Sequence, residues 1–402
     1  MKKVLISIAA VLCAVTVSAQ AERDPNPVIT AMPSLSIAPD ARAAGMADVG
    51  VATEADFNSQ YWNPAKYAYM YTKGGITANY TPWLRKLVGD IDLAYLAGFY
   101  NFGDLAGGIG ASFTYFSMGD VVLTNMDGTP LQDVRPNEWA LDLSYFRKLH
   151  EYVSMSVAVR FLYSDLNNGV TIPGQEMHPA ATAAADIALY YRQPLELPMG
   201  TSHLAVGFTI KNLGGKMSYA EDGSSNFIPA SANLGIGYEL PIDKYNFLTF
   251  NLETNKLLVP TRKSRYTTLE TADNKAAYEN GTDIYTMSPD AYKEINPAKG
   301  WFQSLNDAPL GAKEEFEEVR WGAGIEYSYN KQFFARVGYS NENYYKGNRN
   351  VVTFGAGFHL SIVTLDVSYC VGLAASNPLD QTMRFTLGFD LYGIKDLVNN
   401  KK

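Results

Sequence analysis

Residues able to do covalent or metal chemistry are few in this sequence. It holds four histidines, His150, His178, His203 and His359, and two cysteines, Cys13 and Cys370. A zinc-type centre needs His, Cys or carboxylates gathered at ligand spacing. No such gathering is visible along the chain, so no metal, cofactor or catalytic residue is assigned. One nucleophilic arrangement is conceivable: Cys370, with His359 as base and Asp366 as orienting acid, if all three fall on one face of neighbouring strands. An inert thiol among the polar residues of such a face accounts for the same pattern, and that plainer reading is adopted. The glycine-rich pieces GGIG (107–110) and GAG (355–357) sit inside alternating runs rather than between a strand and a helix. They therefore predict no phosphate loop.

The runs that carry these residues alternate with period two, which marks strands with two different faces. In VSMSVAVRFLY, Val153, Met155, Val157, Val159, Phe161 and Tyr163 oppose Ser154, Ser156, Ala158 and Arg160. Leu365, Val367 and Tyr369 likewise oppose Asp366, Ser368 and Cys370, and Phe385 and Leu387 oppose Arg384 and Thr386. Charges recur on the polar face: Asp142, Asp186, Arg192, Lys211, Glu253, Glu326 and Arg336.

Residues 1–19 read as a secretory signal peptide: Lys2 and Lys3, an apolar core over 4–17, and the small-residue site Val17-Ser18-Ala19. Cys13 falls in that core, which leaves Cys370 alone in the mature chain and no intramolecular disulfide. No later apolar run reaches the ~18 residues of a transmembrane helix. A formal charge of −8 argues against nucleic-acid binding. The aromatic fraction of 13%, with 27 Tyr, suits a membrane boundary.

Alternation alone fits a soluble sandwich or a membrane barrel. Many runs here approach ~10 residues, enough to cross a bilayer at a tilt, whereas globular strands average ~5–6. The runs between 73 and 392 number fourteen, and their connections alternate short and long. Short periplasmic turns opposite long extracellular loops are the asymmetry of outer-membrane barrels. The expectation is an all-β, 14-stranded antiparallel transmembrane barrel over 73–392, with a tail at 393–402.

Two stretches fall outside that pattern. The connection 257–318 is long, with helix-friendly pieces at 274–279 and 288–295 and a Trp301–Phe302 pair, candidate anchors for a partner. The segment 20–72 precedes the first strand and is expected to enter the lumen from the periplasmic side as a plug. Within it Asp40 can start a short helix, Gly45 and Gly50 allow close backbone approach, and Arg42 and Asp56 suit a polar lumen. Trp62-Asn63-Pro64-Ala65 then makes a turn.

That Asn-Pro-Ala turn after a small-residue, acid-bearing segment resembles the fatty-acid-transporter-like (FadL-like) barrels, which have fourteen strands and an N-terminal plug. More closely, PVITAMPSLSIAPDARAAGMADVGVATEADFNSQYWNPAKYAY, then YTPWLRKLVGDIDLAYLAGFYN, YFSMGDV and PNEWALDLSYFRKL, is similar to the PorV family. Those proteins are outer-membrane shuttle components of the type IX secretion system of Bacteroidetes. The resemblance implies a non-enzymatic barrel that binds the C-terminal signal domain of secreted cargo. It would carry cargo from the translocon barrel to the cell-surface sortase complex, where the protein is attached to lipopolysaccharide. No catalytic residue carries across. The alternatives are a FadL-like transporter of hydrophobic small molecules and, resting on the Cys370 arrangement alone, a lipid-modifying hydrolase.

Overall fold

A computed structural model describes residues 25–124, 129–169, 177–220, 225–261, 289–308, 311–374 and 377–399. The signal peptide and the helix-friendly piece 274–279 lie outside the described residues. The strands are β1 (Gly74–Pro82), β2 (Asp92–Gly103), β3 (Gly107–Ser117), β4 (Val121–Thr124), β5 (Pro130–Val134) and β6 (Asn137–His150). Then come β7 (Val153–Asp165), β8 (Ala180–Leu197), β9 (Gly200–Gly214), β10 (Lys216–Ser218), β11 (Ser225–Phe227) and β12 (Ser231–Pro241). The last are β13 (Asn246–Leu257), β14 (Arg320–Tyr329), β15 (Phe333–Asn341), β16 (Val351–Leu360), β17 (Val363–Gly372) and β18 (Met383–Asp390).

Among the described residues, fourteen of these strands form one closed antiparallel barrel, with β1 hydrogen-bonded to β18 from Gly75↔Asp390 to Tyr80↔Phe385. The other four make two hairpins, β4–β5 and β10–β11, inside long connections. The expected strands are all present. The hairpin of β8 and β9 runs on past Pro194 to Leu197↔Gly200. The final run also ends earlier than expected: β18 stops at Asp390, and 391–399 form a helix.

Burial is the reverse of a soluble protein. On β7, Val159 is 61% exposed while Arg160 is 7% exposed. The alternation that the sequence showed therefore puts the apolar face outside and the polar face in. Exposed aromatics gather at both margins of the apolar wall: Tyr80, Tyr115, Trp321 and Tyr369 towards the long connections, and Tyr100, Tyr327, Tyr329 and Phe358 towards the short turns. Trp139 stacks on Tyr163 across a strand pair at the long-loop margin (5.2 Å). Two aromatic girdles around an apolar band match a barrel wall bounded by two membrane interfaces. Among the described residues no helix is long and apolar enough to cross a membrane.

The segment before β1 fills the lumen. It contains the short helices α1 (Ala41–Ala44) and α2 (Ser59–Trp62), with 3-10 turns at Pro33–Ser36 and Pro64–Tyr69. Its direction corrects the expectation from sequence. Residues 25–36 are bonded to the long-loop end, where the Asn26 N–H donates to Tyr345 O (2.7 Å) and Ala31 N–H to Phe227 O (2.8 Å). The chain then descends through the lumen and enters β1 at the short-turn end. It does not enter from below beside both termini.

Candidate functional site

The plug owes its shape to a few buried polar groups. Asp40 caps α1 by accepting from the Ala43 N–H (2.9 Å), and it also accepts from Trp62 Nε1 (2.6 Å). Burial, with the negative charge of Asp56, pushes its pKa up to about 6. Asn63 caps the turn that Pro64 opens, accepting from Ala65 N–H (3.1 Å). Its amide donates to Val51 O (3.2 Å) within the plug and to Leu189 O (3.0 Å) on the wall. Trp62 lies flat against Gly50, where a Cβ would come within 2.2 Å of the indole. Gly45 meets Gly355 of β16, and a Cβ there would sit 2.9 Å from its Cα. These residues carried the Asn-Pro-Ala resemblance, and all of them are interior packing groups.

A lattice of charges ties plug to wall. Arg42 donates to both carboxylate oxygens of Glu326 (3.1 and 3.0 Å), to Asp56 (2.9 Å) and to Glu54 O (3.0 Å). Glu326 also accepts from Arg336 (2.6 Å), which reaches on to Asp366 (2.5 Å). Burial opposes the charge of Arg42, but Glu326 and Asp56 overcome it and hold the guanidinium protonated. Burial would likewise raise Asp56, yet Lys66 and Arg42 keep its carboxyl below the ordinary range. On β13, the strand next to β14, Glu253 accepts from Gly50 N–H and Val51 N–H, both at 2.8 Å. Lys66, fully buried, donates to Gly50 O (2.8 Å) and Thr53 Oγ1 (2.9 Å). A third cluster pairs Arg160 with Asp142 and, at 3.1 Å, with Asp186.

The plug leaves a chamber on each side. Towards the short turns a cavity of about 430 Å³ is lined by Phe57, Tyr71, Arg192, Lys331, Phe334 and His359 among others. Towards the long loops a cavity of about 410 Å³ is lined by Tyr61, Lys211, Asn233, Arg320 and Arg349 among others. Beside the first, Glu54, His203 and Glu239 bring ligating atoms within 4.8 Å of one another. Sequence reading missed this gathering because a plug residue and two wall strands far apart in the chain build it. The ammonium of Lys331 already pairs with both carboxylates, and Arg192 with Glu54 (3.3 Å), so the cluster is charge-compensated as it stands.

The conceivable nucleophilic arrangement is not assembled. Cys370 pairs in register with Thr353 and His359 with Thr364. Six residues of strand separate the two, roughly 20 Å. Asp366 is engaged by Arg336, and the His359 ring nitrogen Nε2 bonds Tyr71 OH (2.9 Å).

The long connections build a platform above the chamber at their end of the barrel. It includes helices α3 (Pro289–Glu294), α4 (Pro297–Gln303) and α5 (Ala312–Glu317). Lys256 binds Glu315 and Glu318 (2.7 Å each), and Lys346 binds Glu314 (2.6 Å) and Glu318 (3.0 Å). Burial, with Glu318 and Glu315 adding, pushes the Asp307 carboxyl up to about 7. Of the expected anchor pair, Trp301 is half-buried while Phe302 is 76% exposed. Phe316 on α5 is 78% exposed, a second outward aromatic that sequence reading passed over.

A family model described as "Type IX secretion system protein PorV" matches residues 19–264, more than half of the chain. A search of curated proteins finds no match. Among solved structures, the Pseudomonas putida toluene transporter TodX superposes with a TM-score of 0.50 at 11% identity, over 88% of this chain and 98% of that one. The Ralstonia pickettii toluene transporter TbuX gives 0.47 at 10% identity, over 87% and 97%. A Pseudomonas aeruginosa FadL homologue gives 0.39 at 10% identity, over 91% and 99%. At such identities the likeness speaks for the fold alone.

Proposed function

The chain belongs to the PorV family of type IX secretion system proteins, and on that premise we propose that it is a carrier barrel of the outer membrane. Its long connections face the cell exterior and bind the C-terminal signal domain of secreted cargo. It moves that cargo from the translocon barrel to the surface sortase and attachment complex. The observation that carries this reading, beside the family, is the division of labour between lumen and loops. The lumen is crossed by a segment tied to β14 by the buried Arg42–Glu326 ion pair and to the neighbouring β13 by backbone N–H groups that donate to Glu253, so the plug acts as a seal. The long-loop end instead presents exposed aromatic side chains on short, ion-paired helices.

A shuttle must release what it binds, so the contact should be moderate in area and partly polar. Phe302 and Phe316 supply outward apolar anchors of the kind that concentrate binding energy. Exposed Lys299 on α4 and Lys313 on α5 supply a polar rim whose contacts weaken in salt. The alternative, transport of hydrophobic small molecules, would need a route past Arg42, Lys66, Glu253 and Glu326, each of which lies inside the lumen with its charge paired or hydrogen-bonded. Crossing that polar lattice is costly for an apolar solute's path, since opening it strands buried charges. Co-purification of cargo with the barrel tests the proposal; uptake of a long-chain fatty acid dependent on the barrel, without cargo binding, would favour the transporter.

A further inference from the structure

Residues 25–36 make contacts that the plug does not need. Asn26 bonds Tyr345 in the β15–β16 connection, and Ala31 bonds Phe227 of β11 in the β9–β12 connection. Ser34 Oγ donates to Glu138 at the head of β6, directly after the β3–β6 connection. One stretch of chain therefore bonds two long connections and the head of β6, and Val28 packs on a third connection, that between β13 and β14. Its apolar side chains are divided the same way. Val28 packs on the cluster of Phe227, Val259, Tyr292 and Ile295, while Ala31, Met32 and Leu35 join Leu162, Met217 and Ile228. Helix α4 seats on the same Phe227, with a Cβ at Gly300 only 2.7 Å from its ring. Between these anchored points Ile29 projects outward, 61% exposed.

We infer that residues 25–36 are a surface element of the protein. They form a strap, delivered through the lumen, that fixes three long connections and sets Ile29 at one edge of the docking patch that includes Phe302. The strap's position relative to the barrel follows from its contacts alone. Its exposure to the cell exterior, and the identity of the partner as a cargo signal domain, rest on the function proposed above.

Surface labelling separates the two. Ile29→Cys, Val122→Cys on the β4–β5 hairpin and Leu105→Cys on a short turn are each treated in intact cells with a membrane-impermeant maleimide. Cys370 is 4% exposed, which keeps the native background low. The expected result is labelling at 29 and 122 in intact cells, and at 105 only after permeabilisation. If 29 behaves like 105, or stays unlabelled in both conditions while 122 labels, the strap is overturned and the carrier reading survives. If 105 labels in intact cells and 122 does not, the orientation behind the carrier reading fails instead. Should Ile29→Cys not give a heat-modifiable folded barrel, exposed Pro27→Cys takes its place with the same outcomes. Ile29→Asp is then expected to lower cargo recovery by about fivefold, the smallest loss that marks an interface anchor; unchanged recovery would remove Ile29 from the patch.

Discussion

Replacing Arg42 by Met removes the charge that joins plug to wall while keeping most of the side-chain volume. Arg42 is 13% exposed and its partner Glu326 5% exposed, so the substitution leaves Glu326 with Arg336 alone, and Arg336 is already shared with Asp366. Breaking one side of a buried ion pair costs about 3–5 kcal/mol. The adjoining chamber admits solvent, which lowers the figure to about 2–3 kcal/mol. At 1.36 kcal/mol per decade that raises the undocked fraction of the plug roughly 30- to 150-fold. Planar-bilayer recordings of the purified barrel read this directly as the frequency of open events. Glu326→Gln added to Arg42→Met should recover part of the loss, because the stranded carboxylate is gone. Arg85→Ala, which breaks a surface pair with Asp92 at 40% and 34% exposure, should be silent. An Arg42→Met barrel as quiet as the parent, or an Arg85→Ala barrel as leaky as Arg42→Met, would refute the lock.

Three further outcomes are expected. The raised pKa of Asp40, about 6, means that the docked plug binds more protons than a released one between about pH 4 and pH 6. Docking should therefore weaken as pH climbs through that window; Asp40→Asn should flatten the dependence of open events on pH. Below about pH 4 the opposite holds, since Asp56, held low, loses its stabilising charge as it protonates. Gly338→Val would drive side-chain atoms into the Met46 backbone, where even a Cβ would lie at 2.3 Å. A cost of about 1–3 kcal/mol or more should loosen the plug without loss of heat-modifiable barrel. Phe302→Ala should reduce cargo association roughly 5- to 30-fold by quantitative pull-down, whereas Trp301, half-buried, should also disturb the loop when truncated.

The barrel was legible because two-faced strands write their geometry into every second residue. Val157, Val159 and Phe161 against Ser156, Ala158 and Arg160 foretold both faces of β7, and connection length foretold the antiparallel order. What the pattern could not say was which partner each inward charge meets. Arg42 meets Glu326 across 284 positions of chain, and no local spacing encodes such a pairing. The hairpins β4–β5 and β10–β11 were missed because strands of 3 to 5 residues carry too few alternations to register. Proline is poorly suited to a strand interior, yet Pro194 sits at Pro194↔His203 in the part of the β8–β9 hairpin beyond the last β7–β8 pair, Val153↔Tyr191. There one edge is unpaired and a missing N–H costs little. The direction of the plug was invisible for a simpler reason: its small residues fit a lumen from either end. Only contacts at Asn26, Ala31 and Ser34 decide it. The Glu54–His203–Glu239–Lys331 cluster was hidden in the same way, one member on the plug, two on separate strands and one in a turn.

A long-loop platform that binds cargo by its C-terminal signal domain should keep that cargo through purification of the barrel. The most direct measurement is affinity purification of this protein from native outer membranes, under mild detergent and with the translocon intact, followed by mass spectrometry of what accompanies it. Proteins bearing the C-terminal signal domain should be recovered with the parent barrel and depleted with Phe302→Ala. Recovery of the folded barrel with no such proteins would contradict it.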